Sequence, residues 1–146
     1  MLVNWQNRQK RILMVDDHPE SILLLRRFLR KSGHLITTVC DGYEAINRLS
    51  NESFDLLIID WLMPGLGGRQ TLLDADRDLS LDSITNEKWQ HNLKIPVVVY
   101  SAESPDPKRI KELAHFRIVN VYNKVQKIDW VGEKISQCLD GNDLVV

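Results

Sequence analysis

The chain has 146 residues, with 19 Lys and Arg against 20 Asp and Glu, so its formal net charge is −1. No overall field draws such a surface toward phosphate backbones or anionic lipid, and direct nucleic-acid binding is not expected. With 43% hydrophobic residues, a chain of this length can bury roughly 68–70% of its unfolded surface, so one ordered domain is expected rather than a disordered segment or a receptor joined to an output unit. No apolar run approaches the ~18 residues that span a bilayer, and the N-terminal residues lack the apolar stretch of a secretory signal. The expectation is a cytoplasmic protein without membrane insertion. Cys40 and Cys138 stand far apart, outside any CxxC or Cys/His cluster, and read as reduced packing residues.

A polar leader over residues 1–10 precedes Ile12-Leu13-Met14-Val15, an apolar run stopped by Asp16-Asp17, as in a strand buried on both faces. Pro19 fits a first helical turn, and Ile22, Leu25, Phe28 and Leu29 recur at helix spacing until Gly33 ends the pattern. Residues 36–40 are β-branched but less apolar and read as an edge strand; Asp41-Gly42 then opens a short helix with Ala45, Ile46 and Leu49 on one face. Residues 55–60 form the strongest buried strand and run into a loop containing Met63-Pro64-Gly65 and Gly67-Gly68. A helix is predicted from about 69 to 79, a strand over 96–101, a helix over 107–115, a fifth strand over 118–123 and a last helix over 129–139, before a tail at 141–146. Residues 80–94 are polar, include Trp89 and lack clear periodicity. Strands alternating with helices predict an α/β fold with a doubly wound, five-stranded parallel sheet, since right-handed crossovers place helices on both faces.

Open α/β sheets bind ligands beyond the carboxyl ends of their strands, and here those ends carry Asp16-Asp17, Asp60, Ser101 and Lys124. Each alone has an ordinary explanation: Asp pairs cap helices, serines decorate loops, and a lysine at a strand end is commonly solvated. His18 likewise reads as a helix-start residue, and Trp61 as a partly exposed neighbour. Together, however, three converging carboxylates repel one another unless protonated or joined by a cation. Hard oxygen donors that leave room for water suit Mg²⁺. A lysine and a hydroxyl facing the same point would hold an anion bridging the metal, and a phosphoryl group is the natural occupant.

These stretches, together with Asp60-Trp61-Leu62-Met63-Pro64, Val97-Val98-Val99-Tyr100-Ser101-Ala102 and Val121-Tyr122-Asn123-Lys124, run in the order and spacing of a family. The chain resembles a response-regulator receiver domain of two-component signalling, similar to the single-domain chemotaxis regulators, over about residues 11–140. The resemblance implies a flavodoxin-like strand order 2-1-3-4-5. It implies Asp60 as the phosphoacceptor served by a sensor histidine kinase or phosphotransfer protein, and Mg²⁺ held by Asp16, Asp17, Asp60 and the backbone carbonyl of Leu62. By the same resemblance Lys124 and Ser101 contact the phosphoryl oxygens, Ala102 leaves access for the incoming group, and Leu62 and Glu103 influence its lifetime. The expected function is that of a stand-alone response regulator, not an enzyme, which assists its own phosphorylation and dephosphorylation and signals to a downstream protein target that the sequence does not name.

Several positions depart from the pattern. Val125 follows Lys124 where the family usually has a proline, and Val121 stands where an aromatic switch residue is usual, with Tyr122 one place later. A Gly-Ala pair common before the fifth strand is replaced around Phe116-Arg117, Gly67 stands where an acidic or amide residue is frequent, and an insertion near residues 80–94 adds about ten residues. Val125, Val121 and the rebuilt stretch around Phe116-Arg117 motivate an alternative, a degenerate receiver acting as a phosphorylation-independent docking module. A phosphatase of the haloacid dehalogenase type needs a second acid two positions after its nucleophile, where Leu62 stands.

Overall fold

The computed structural model describes residues 9–82, 87–103, 113 and 116–140. The leader up to residue 8, the tail at 141–146 and the helix predicted over 107–115, apart from residue 113, lie outside the described residues. Strands β1 (Arg11–Val15), β2 (Leu35–Val39), β3 (Leu56–Ile59), β4 (Pro96–Ser101) and β5 (Arg117–Asn123) form one parallel sheet in the order β2-β1-β3-β4-β5. This is the doubly wound arrangement expected, with the less apolar β2 at an edge. The strand order reverses beside β1, so the crevice that takes ligands in such folds opens where Asp16 and Asp60 leave β1 and β3.

Alternate strand residues feed two cores. Ile12, Met14, Leu56, Ile58, Val98 and Tyr100 pack with Leu25 and Leu29 of α1 (Leu23–Lys31) and with Val131 and Ile135 of α5 (Ile128–Leu139). Leu13, Val15, Leu57, Ile59, Val97 and Val99 face Ala45 and Leu49 of α2 (Gly42–Asn51) and Leu72 and Ala75 of α3 (Gly68–Asp82). Strands buried on both faces are apolar throughout for this reason. The first predicted helix begins as a 3₁₀ turn, Pro19–Ile22, with His18 at its start. Asp41 caps α2 by accepting the Glu44 N–H (2.8 Å). Cys40, in the turn between β2 and that cap, is exposed rather than packed. Cys138 is half-buried.

The β4–β5 pairing jumps from Val97↔Ile118 to Val98↔Asn120, a bulge of one residue. Since side-chain direction alternates, the extra residue decides which face every later residue of β5 occupies. Val121 pairs with Val99 and packs on the α2–α3 face, whereas Tyr122 pairs with Tyr100 on the α1–α5 face, edge-on to Trp130 at 5.6 Å. The aromatic residue has therefore not taken over the position held by Val121. Burial first, and then Cys138 nearby, push the Tyr122 hydroxyl up to about 12. An unfolded tyrosine titrates near ~10, so this contribution to stability is full below that pH and is lost as pH rises toward the folded value, in total about 3 kcal/mol. In chemical denaturation, Tyr122→Phe is expected to lose less stability than wild type between pH 8 and pH 12; identical losses would contradict this.

Residues 80–94 hold more structure than their polarity indicated: α3 continues to Asp82, and a short helix α4 (Glu87–Asn92) follows. Its end is fastened to the amino-terminal side of the sheet. Asn92, fully buried, donates from Nδ2 to the carbonyls of Leu49 and Glu52 (2.7 Å each) and accepts the Phe54 N–H at Oδ1 (2.9 Å). His91 Nε2 lies 2.7 Å from the Phe54 carbonyl, and Lys88 Nζ donates to the Asn51 carbonyl at 2.7 Å. The insertion thus closes the end of α2 and its turn into β3, at the end of the sheet opposite the carboxylates.

Candidate functional site

Asp16 and Asp60 directly follow β1 and β3, Ser101 ends β4 and Lys124 follows β5. All four predicted strand ends meet. Asp16 (1% exposed) accepts the His18 N–H at Oδ1 (2.7 Å), and at Oδ2 accepts Ser21 Oγ (3.1 Å) and Lys124 Nζ (2.6 Å). Asp60 (6% exposed) accepts the Ser101 hydroxyl (2.7 Å) and the Leu62 N–H (3.2 Å) at Oδ1, and Lys124 Nζ (3.1 Å) at Oδ2. Lys124 therefore ties two buried carboxylates from different strands with a single ammonium group. Burial by itself would depress that ammonium, but the hydrogen bonds and charges of Asp16 and then Asp60 outweigh it and hold the group above the ordinary lysine value. The ammonium is therefore charged at neutral pH and gives up its proton as pH rises through that raised value.

Asp17, half-buried, has Oδ2 3.1 Å from Nδ1 of the exposed His18, while its Oδ1 is buried without a hydrogen-bond partner among the described residues. Ligand atoms of Asp16, Asp17 and His18 lie within 4.8 Å of one another. Three formal carboxylate charges against one ammonium leave a deficit of two positive charges at the crevice, and a buried oxygen without a donor calls for a cation. Hard oxygens with this charge balance fit Mg²⁺. An open cleft of about 540 Å³ lies over the group, lined by His18, Glu20, Ser21, Asp60, Leu62, Ser101, Ala102 and Lys124. Leu62 is half-exposed at its rim, and the small Ala102 is exposed beside Ser101.

Gly68 supports the site from below. Its N–H donates to the Trp61 carbonyl (3.1 Å), and a Cβ there would come 2.2 Å from the Asp60 carbonyl oxygen, so only glycine allows α3 to start against the Asp60–Trp61 backbone. Two contributors escaped the sequence reading. Ser21 bonds both Asp16 and Lys124 (2.9 Å), and Asn123 organises the turn that carries Lys124. Ser21 lies five residues beyond Asp16, within reach once the 3₁₀ turn folds back; no apolar pattern marks such a position.

The family model described as the response regulator receiver domain matches residues 12–129. The response regulator GtcR of Aneurinibacillus migulanus is 31% identical over 137 residues, 92% of this chain and 51% of that protein. The sensor histidine kinase GacS of Pseudomonas protegens is 35% identical over 98 residues, 67% of this chain and 10% of that protein. The chain thus spans about half, or much less, of these relatives. Among solved structures, the receiver domain of the sensor histidine kinase PA1611 from Pseudomonas aeruginosa, with a magnesium ion coordinated in its active-site cleft, superposes with a TM-score of 0.67 at 21% identity, covering 92% of this chain and 99% of that one. Sheet order, the four converging strand ends and a family match across most of the chain agree, and the chain belongs to the response regulator receiver domain family.

Proposed function

We propose that this chain is a working phosphoacceptor, with Asp60 the residue that takes a phosphoryl group from a histidine kinase or phosphotransfer protein. The observation that carries the reading is the ammonium of Lys124 shared between Asp16 and Asp60, with Ser101 on the other Asp60 oxygen. In the transfer, a carboxylate oxygen of Asp60 attacks the phosphorus of the donor. A P–O bond forms, the donor P–N bond breaks, and its electron pair returns to the imidazole, leaving an acyl phosphate on Asp60. Lys124 then exchanges Asp60 Oδ2 for a phosphoryl oxygen, and Ser101 turns its hydroxyl from Oδ1 to another. Ala102, with no side chain beyond Cβ, keeps the path open. Such transfers depend mainly on position and charge.

Asp16, Asp17, Asp60 and the Leu62 carbonyl would hold Mg²⁺, which supplies positive charge where two anions must meet. The orphaned Asp17 Oδ1 supports this assignment. The magnesium reported for the PA1611 receiver agrees with it. On this reading the chain assists its own phosphorylation and hydrolysis without turning over an external substrate, and its output is a phosphorylation-dependent contact with another protein. Among the described residues no helix is long and apolar enough to cross a membrane.

Val121 on the α2–α3 face favours one other reading, a docking module indifferent to phosphorylation, because an aromatic side chain is absent where the family pattern has one. Tryptophan fluorescence separates the two, since Trp61 adjoins Asp60. Beryllofluoride is expected to change emission only when Mg²⁺ is present, and not at all in Asp60→Asn. A flat response in wild type supports the docking module.

A further inference from the structure

The turn that carries Lys124 has little packing of its own: Val125, which follows, is 87% exposed. Polar contacts hold it instead, and they centre on one side chain. The Asn123 carboxamide donates from Nδ2 to the Ala102 carbonyl (3.2 Å) and accepts the Val125 N–H at Oδ1 (2.9 Å). Its backbone N–H donates to Gln126 Oε1 (2.8 Å), and its carbonyl accepts the Gln126 N–H (3.0 Å). The Lys124 N–H donates to the Ser101 carbonyl (3.0 Å). The backbone on both sides of Lys124 is therefore pinned, and part of it is pinned to the end of β4.

From this we infer that Asn123 is a positioning residue for Lys124, fastening the lysine turn to the Ser101–Ala102 segment so that the ammonium and the serine hydroxyl are held as one unit over Asp60. A lysine side chain is long and loses considerable rotamer freedom when fixed, so its aim at two acceptors depends on where its backbone is anchored. The carboxamide supplies a donor to one segment and an acceptor to the other. A proline at position 125 would offer no N–H to Asn123 Oδ1, so this clamp and the family's usual proline are different means of fixing the same turn. The positioning itself does not require the phosphoacceptor reading; its consequence for phosphoryl binding does.

The test uses the whole chain and two measurements. Wild type, Asn123→Ala and Asn123→Asp are treated with an amine-acylating reagent at neutral pH, and modification of Lys124 is followed by peptide mass spectrometry against Lys127 and Lys134. Lys124 is expected to react several-fold faster in Asn123→Ala, with the reference lysines unchanged, and Asn123→Asp, which keeps the acceptor but loses the donor, is expected to fall between. In parallel, beryllofluoride affinity should drop about tenfold in Asn123→Ala, while Mg²⁺ affinity stays at the wild-type value. A merely structural role would lower the melting temperature without separating these two affinities. Unchanged Lys124 reactivity in a folded variant overturns the proposal, as does faster labelling with wild-type beryllofluoride affinity. If wild type itself ignores beryllofluoride, the phosphoacceptor reading fails, and the labelling alone decides the positioning. Should Asn123→Ala not fold, Gln126→Ala, which removes the acceptor for the Asn123 N–H, is read in the same way.

Discussion

Replacing Lys124 with methionine is expected to weaken beryllofluoride binding by about 100-fold or more while leaving Mg²⁺ binding intact or tighter. Lys124 Nζ is the cation shared by Asp16 and Asp60, and each charge-assisted contact it transfers to a phosphoryl oxygen is worth on the order of 1.5–3 kcal/mol. Removing it also leaves two buried carboxylates facing each other without a counter-charge, which costs stability when no divalent ion is present. Added Mg²⁺ should restore much of that loss, since a cation can take over between the carboxylates. Titrations of both ligands, with melting curves with and without Mg²⁺, check this. Parallel losses of both affinities would show that Lys124 only holds the site together.

The second large effect lies far from the chemistry. Asn92→Ala leaves the Leu49 and Glu52 carbonyls and the Phe54 N–H without the partners that a fully buried side chain gave them. Orphaned buried backbone groups cost about 1–3 kcal/mol each before relaxation, so the variant is expected to lose about 2–4 kcal/mol in chemical denaturation. Beryllofluoride affinity, measured where the variant is still folded, should stay near wild type, because α4 closes the opposite end of the sheet. A stability loss below about 1 kcal/mol would mean that water replaces the amide readily.

The strands and the four chemical strand ends were legible because apolar runs buried on both faces stop at Asp16, Asp60 and Ser101, the half-buried β5 stops before Lys124, and the topology forces those stops to one edge. The helix in residues 80–94 was not, because its sequence carries no apolar stripe; among the described residues, the amide of Asn92 and the contacts of His91 and Lys88 fasten α4. Tyr122 was ambiguous for a different reason. Whether it or Val121 faces α3 depends on a bulge of one residue in β5, and the β-branched run Arg117–Asn123 carries no local mark of it. Ser21 and Asn123 act through side-chain hydrogen bonds across turns, and their residue types are ordinary in such places.

The central claim is that Asp60 accepts a phosphoryl group with the help of its neighbours. The most direct measurement is intact and peptide mass spectrometry of the chain after incubation with acetyl phosphate and Mg²⁺. The account predicts one phosphoryl group, labile as an acyl phosphate is, on the peptide containing Asp60, lost when Mg²⁺ is chelated beforehand and absent from Asp60→Asn. A folded wild-type protein that gains no phosphoryl group, or gains it equally in Asp60→Asn, would contradict it.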